Sequence, residues 1–427
     1  MNKFHLDQRK QKEKVLLVVI EYKRSDGEWS MADIQNEMAE LVVACQGEVV
    51  DSVLCRLDKP SASYLIGAGK VEEIAEKCRI SKIDAVIFSL DLKGSQQRNL
   101  EDIIKVKTID RTQLILDIFV RRASSNEGRM QVELAQLEYL MPRLVGKGIE
   151  LSRLGGGIGT SGPGETKLEV DRRRIGERIT KLKRALKEVA LDRNLKRKKR
   201  KDHGLPGISL VGYTNAGKST ILNTLTGASQ LTQDALFTTL DSLSRQMVLP
   251  NHQKVVLSDT VGFMRELPHH LIEAFKATLE EVQEADLLLH VVDISHPDFR
   301  KYIDAVETVL KELNALDKPT ITVLNKIDKV ADKQWLKEFE SKYAHTVSIS
   351  AQTKENIDKL LAEMVELLSS RMVEINVDVP IDRMDLVSLA HKEGVVYYVK
   401  YYTNMITIKA LVPAHLSGQF YRSKLSS

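Results

Sequence analysis

The sequence predicts an α/β protein of several domains. Strand-like and helix-like segments alternate over two separate stretches, and glycine-rich turns stand where strands give way to helices. At 427 residues the chain is also too long for one ordinary core. The expected division is an N-terminal α/β domain over 1–125, an antiparallel basic helical hairpin with a Gly-rich loop over 126–203, a P-loop domain with a mostly parallel sheet over 204–370, and a small α+β domain over 371–427. A composition of 43% hydrophobic and 29% charged residues excludes global disorder. No apolar run approaches the ~18 residues that span a bilayer. The opening MNKFHLDQRKQKEK lacks the apolar core of a secretion signal, so a cytoplasmic protein is expected. Cys45, Cys55 and Cys78 form no CxxC pair and fit reduced structural thiols.

In the first stretch Val15 to Ile20, Glu48 to Leu57, Ile83 to Phe88 and Val106 to Asp110 are rich in β-branched residues and predict strands. Amphipathic spacing predicts helices near 31–45, 70–80, 95–105 and 112–122, which gives a largely parallel sheet. Gly67 to Lys70 (GAGK) lacks the strand-loop-helix setting of a phosphate loop and predicts a helix-entry turn.

Met130, Leu134, Leu137, Met141 and Leu144 are spaced as a heptad seam, and Leu168, Ile175, Ile179, Leu182, Leu186 and Val189 repeat it with Arg172 at one seam position. Two such seams should pair, with Pro142 ending or kinking the first helix. The intervening loop, LGGGIGTSGPGETKLE from Leu154 to Glu169, admits two readings, a flexible connector and a probe that lays its backbone on RNA or nucleotide. The formal charge of +4 is unevenly spread. Between Asp171 and Lys201 fifteen Lys or Arg face four acids, a net +11 that leaves −7 for the remainder. That asymmetry points to a polyanion, and with no aromatic platform beside it, to backbone and shape contact with RNA. The tail, with VEINVDV, a helix near 382–391 and a hairpin around Thr403-Asn404, carries no recognisable chemistry.

Strand GISLV leads into Gly212-Tyr213-Thr214-Asn215-Ala216-Gly217-Lys218-Ser219-Thr220 and then a helix. Glycines let backbone N–H groups wrap a phosphate, Lys218 brings a charge to the β and γ oxygens, Ser219 offers a Mg²⁺ ligand, and the helix N-terminus adds its dipole. Base choice must come from elsewhere. Asn325-Lys326-Ile327-Asp328 follows an apolar strand, and the Asp328 carboxylate can accept from guanine N1–H and the 2-amino group, donors that adenine lacks. The Lys326 stem can cover the base and Asn325 can tie this loop to the phosphate loop. After HTVSIS, Ser350-Ala351-Gln352 can offer a backbone N–H to guanine O6.

Between them, Asp259-Thr260-Val261-Gly262 ends a strand, placing Asp259 to hold Mg²⁺ through water and the Gly262 N–H against the γ-phosphate. Phe237-Thr238-Thr239-Leu240-Asp241 supplies a threonine for the remaining Mg²⁺ position, and Thr239 is preferred. Lys218, Thr239 and Gly262 are thus the expected catalytic residues, with Ser219, Thr239 and Asp259 around the metal. Phe263 follows the glycine where small signalling GTPases carry a water-orienting glutamine. Asn215 offers a compensation, since a subset of GTPases uses asparagine there to help bind K⁺. The expectation is slow hydrolysis alone, of order 10⁻⁴ s⁻¹ or below, and acceleration by a partner.

Asp110-Arg111-Thr112-Gln113-Leu114-Ile115-Leu116-Asp117-Ile118-Phe119, Glu127 to Leu137, the Gly155 to Glu165 loop and GYTNAGKST together resemble HflX-type GTPases from about residue 15 to 370. The resemblance implies a cytoplasmic GTPase that binds the large ribosomal subunit and its rRNA, separating stalled or idle ribosomes under stress; it is expected to be monomeric when ribosome-bound, its oligomeric state otherwise staying open. It carries over Ser219 and Thr239 as Mg²⁺ ligands and GTP contacts within 212–219, 237–241, 259–262, 325–328 and 350–352. It also implicates the hairpin and its loop in reaching the peptidyl-transferase region. Two other classes stay open. One is a regulatory switch that recruits a protein effector without touching RNA. The other is a tRNA-modifying GTPase, which needs a cofactor or a cysteine near the nucleotide domain.

Overall fold

The computed structural model describes residues 12–22, 29–144, 167–202, 204–227, 237, 243–265, 276–332, 334–369 and 372–422. Among these, one compact unit holds the residues up to Leu186 with Phe237, and a second holds the others. The expected contacts Thr238, Thr239, Leu240 and Asp241, and the Gly-rich loop up to residue 166, lie outside the described residues.

The first unit is built on a four-stranded, wholly parallel sheet in the order β2-β1-β3-β4. β1 (Lys14–Tyr22) is buried continuously from Val15 to Ile20, as a strand covered on both faces requires. β2 (Glu48–Leu57), β3 (Ala85–Phe88) and β4 (Lys107–Asp110) alternate with α1 (Met31–Ala44), α2 (Ala68–Ser81), α3 (Gly94–Ile104) and α4 (Arg111–Arg122). Ser30 and Asp33 form a reciprocal capping box that starts α1. Gly67 is the N-cap of α2, so the GAGK segment is the helix-entry turn that its context predicts.

Asp110 closes this unit. It is fully buried, and its Oδ1 accepts from the Gln113 N–H at 2.9 Å and the Tyr139 hydroxyl at 2.8 Å. Its Oδ2 accepts from the Leu92 N–H at 3.0 Å and from Arg143 at 2.9 Å. Burial pushes the carboxyl up, while these bonds and Arg143 pull it down. α5 (Asn126–Leu140) stops before Pro142, and a 3₁₀ turn, Met141–Leu144, carries Arg143 to this carboxylate.

α6 (Lys167–Asp202) follows, and its residues from Lys187 onward belong to the second unit. Against α5 it sets Arg178 on Glu133 and Lys183 on Glu138. Among the seam residues whose side chains are described, Leu134 and Leu182 are the buried ones. Ile175, Ile179, Leu186 and Val189 are only half-buried, a looser pairing than a continuous zipper.

The second unit holds two sheets. The larger runs β10-β9-β8-β5-β7-β6, parallel except for β6 (Leu243–Val248) against β7 (Lys254–Asp259). Its other strands are β5 (Gly207–Gly212), β8 (Leu287–Asp293), β9 (Thr320–Asn325) and β10 (Thr346–Ser348). Around them lie α7 (Lys218–Thr226), α8 (Lys276–Glu284), α9 (Phe299–Glu312), α10 (Gln334–Lys342) and α11 (Ile357–Leu368). The core gathers Ile208, Leu210, Leu257, Leu289 and Val323. The described loops expected to touch a ligand, after β5, β7, β9 and β10, leave the C-terminal ends of these parallel strands, the edge where such sheets bind ligands.

The smaller sheet is antiparallel, β11 (Met372–Pro380), β13 (Met405–Pro413) and β12 (Val395–Tyr401), covered by α12 (Met384–Glu393) and α13 (Ala414–Arg422). It is the α+β unit that the sequence predicts, with α13 added.

Candidate functional site

The phosphate loop begins where β5 ends. Gly212 and Gly217 adopt φ of 152° and 96°. A Cβ at Gly212 would stand 2.3 Å from the Val291 carbonyl oxygen, and one at Gly217 would stand 2.3 Å from the Asn325 amide nitrogen. Only glycine fits both the torsions and the space. Asn215 also has positive φ, at 62°, which asparagine tolerates better than most residues. The loop then opens into α7, whose N-terminus directs backbone N–H groups and dipole at the same point.

Lys218 is buried and its Nζ donates to the Gly212 and Tyr213 carbonyls at 3.1 and 2.8 Å. Burial holds its pKa down to about 8, with Asp259 pulling the other way. Ser219 Oγ donates to Asp259 Oδ2 at 2.6 Å, both groups being buried. A hydroxyl beside a carboxylate at the end of a phosphate loop is a hard-oxygen donor set that suits Mg²⁺.

The Asp259 to Gly262 segment is tied to the phosphate loop on both sides. The Phe263 N–H donates to the Gly212 carbonyl at 3.0 Å, and the Thr214 N–H donates to the Phe263 carbonyl at 2.8 Å. Thr260 anchors its own hydroxyl to the Leu210 carbonyl, and Val261 is buried. Gly262 lies so close that a Cβ there would meet Thr214 Cα at 2.8 Å and Lys218 Nζ at 3.1 Å. Phe263 itself is 1% exposed, an apolar ring in the core that offers a water nothing.

The base-side loops converge on one amide. Asn325 Nδ2 donates to the Ala216 carbonyl at 2.9 Å, and its Oδ1 accepts from the Ala351 N–H at 3.1 Å. One buried side chain therefore joins the phosphate loop, the Asn325-Lys326-Ile327-Asp328 loop and the Ser350-Ala351-Gln352 loop. Ser350 Oγ donates to Asp328 Oδ1 at 2.6 Å and orients that carboxylate. Ile327 turns inward onto Val292, Phe299 and Leu336, so it anchors the loop by packing. Gln352 is exposed and Thr220 half-buried. Phe237 falls in the first unit, edge-on to Phe119 at 4.7 Å.

Three contributors were not expected from the sequence. Asp293, at the end of β8, takes the Lys326 ammonium at 2.5 Å and fixes the stem expected to lie along a base. Tyr302 of α9 stacks on Tyr213 at 4.2 Å and 10°, bracing the loop from outside. His290 is buried in the middle of β8, where burial, with Lys218 beside it, holds its pKa near 4. Only the terminal aspartate of an apolar strand, at Asp293, could have drawn attention.

Four family models cover most of the chain: "GTP-binding GTPase N-terminal" over 33–120, "GTP-binding GTPase Middle Region" over 122–200, "50S ribosome-binding GTPase" over 207–326 and "HflX C-terminal domain" over 336–401. The chain is 45% identical over 405 residues to the GTPase HflX of Caldanaerobacter subterraneus subsp. tengcongensis, spanning 95% of this chain and 92% of that one. It belongs to the HflX family of GTPases. Its identity to the GTPase HflX of Escherichia coli is 42% over 351 residues, 82% of each chain. Among solved structures it matches a GTP-binding protein from Sulfolobus solfataricus in complex with GDP, at 24% identity and TM-score 0.44, over 84% of this chain and 99% of that one. As an HflX-family GTPase the chain binds guanine nucleotide and hydrolyses GTP. Among its described residues no helix is long and apolar enough to cross a membrane. Cys45 and Cys78 are pushed up to about 11 by burial, and Cys55 is raised by the same cause. All three sit in the first unit, where burial favours the protonated thiol.

Proposed function

We propose that this GTPase binds the large ribosomal subunit through its basic helix, separates or rescues ribosomes under stress, and is switched by the nucleotide it holds. The observation that carries the reading is the run Arg172-Arg173-Arg174, exposed on α6 of a chain whose nucleotide domain matches the family described as 50S ribosome-binding. Guanidinium groups on one helix suit rRNA phosphates, and each phosphate neutralised makes affinity more salt-dependent. The four-domain division and a monomeric, cytoplasmic protein go with this reading.

In the site, backbone N–H groups from 212–220 hold the α- and β-phosphates, Lys218 neutralises the β and γ oxygens, and Asp328 reads guanine. Ser219, Thr239 and Asp259 hold Mg²⁺, which when bound supplies positive charge beside the phosphates. Gly262 presents its N–H to the γ-phosphate. Since Phe263 cannot align water, hydrolysis is slow until a partner completes the site, with K⁺ held through Asn215 as the chain's own contribution.

The test compares wild type with Arg172→Gln/Arg173→Gln/Arg174→Gln, because Arg178 is held by Glu133 at 2.6 and 2.7 Å while Arg173 and Arg174 have longer, exposed pairs with Glu177 at 3.9 Å and Asp171 at 4.0 Å. Pelleting with purified large subunits and GTP turnover are measured at two salt concentrations. Neutralising three phosphate contacts should lower the salt slope by roughly 2–3 and remove stimulation by the subunit. Undiminished pelleting by the triple variant would transfer the case to a switch that recruits protein without RNA.

A further inference from the structure

Not all of the positive charge on α6 faces outward. Arg197 is 7% exposed, and its Nε and Nη2 donate to Glu281 Oε1 at 3.2 and 2.8 Å, with Nη1 on the Asn194 side-chain oxygen at 3.1 Å. One turn earlier Arg193 faces Glu280 at 3.8 Å, and Arg197 reaches the same carboxylate at 3.6 Å. Glu280 and Glu281 lie on α8, the helix that follows the Gly262 loop in the chain, and α8 is held to the sheet by buried Leu279 and Val282. Beneath the pair is a cavity of about 40 Å³ lined by Arg197, Ile208, Val256, Ser258 and Glu281. Ile208 and Ser258 belong to β5 and β7, the strands that end in Gly212 and Asp259.

We infer that Arg197 and Glu281 couple the basic helix to the nucleotide site without taking part in basal hydrolysis, holding α6 in register on α8 so that a polyanion bound along α6 is felt at β5 and β7, the strands that lead into Gly212 and Asp259. The inference rests on the ribosome-binding reading and adds the route by which binding reaches the site. An ion pair this buried contributes little more than an apolar pair of the same volume, because both charges lose their water. What it does provide is register. Sliding or rotating α6 by one position strands a guanidinium and a carboxylate out of water, so the joint holds one arrangement or gives way to another.

The experiment uses the full-length chain as wild type, Glu281→Gln, and the exchange Arg197→Glu with Glu281→Arg. Basal turnover, turnover with purified large subunits and pelleting are measured for each. Glu281→Gln keeps the side chain's shape and one acceptor oxygen, so it should pellet and turn over GTP alone as wild type does. Its stimulation by the subunit should fall about tenfold, and the exchange should restore part of it. A variant that pellets and is stimulated like wild type overturns the coupling and leaves the ribosome reading standing. A wild type that is not stimulated overturns both. Should Glu281→Gln fold poorly, hydrogen exchange of wild-type residues 276–284 decides the matter, because unchanged exchange on adding the subunit overturns the coupling.

Discussion

Burial holds Lys218 in an unusual state, and nucleotide binding should reveal it. Burial brings Lys218 to about 8 from an ordinary 10.5, although two carbonyls accept from it. Phosphate oxygens placed on the ammonium favour its charged form and restore a high pKa. At pH 9 the free protein then carries this proton about one time in ten and the complex nearly always, so binding takes up about 0.9 proton, against about 0.1 at pH 7. The same numbers make binding about tenfold weaker at pH 9, near 1.4 kcal/mol. Titration calorimetry of GDP at both pH values, in buffers of different ionisation enthalpy, counts the protons directly. Uptake that stays the same at pH 7 and 9 would refute the reasoning. The ligand-free protein should also gain stability between pH 8 and 10.5, where the unfolded chain holds a proton that the folded one has lost.

Three further outcomes follow from contacts in the two units. Gly262→Ala must move either Thr214 or the lysine head, so hydrolysis should fall by roughly 10²-fold with GDP affinity nearly kept, as single-turnover rates and GDP titration would show. Asn325→Ala removes two buried hydrogen bonds and should cost about 2–4 kcal/mol, read as weaker binding of GDP and GTP alike. Asp110→Asn takes the carboxylate from Arg143, which keeps the Tyr139 and Leu92 carbonyls, and should destabilise the first unit by about 1.5–3 kcal/mol, seen in urea unfolding, while guanine nucleotide affinity is unaltered.

The loops that meet the nucleotide were legible because their chemistry restricts residue type as well as position. Glycine is demanded at 212 and 217 by torsion and space, and an acceptor pair at 328 by guanine. Asp293 and Tyr302 were not legible, for they reach Lys326 and Tyr213 across 33 and 89 residues and carry no local pattern. The strands of the first unit were foreseen almost to the residue, since a run such as Val15 to Ile20 suits only a covered strand. α13 went unforeseen: Gly418 interrupts it, and its apolar face, Leu416 and Phe420, gains meaning only against the sheet it covers. Charge was the most misleading signal. Arg193 and Arg197 count toward the basic excess of α6, yet both are turned onto acids, because a tally of charges says nothing about which face is buried.

The amide of Asn325 bears on how fragments of the ligand would behave. Pyrophosphate alone meets the phosphate loop and guanosine alone the two base-side loops that this side chain clamps to it, so each must settle its own side without help. The intact nucleotide settles both at once through a shared strut. Its free energy of binding should therefore exceed the sum for the separate pieces by more than their tethering explains.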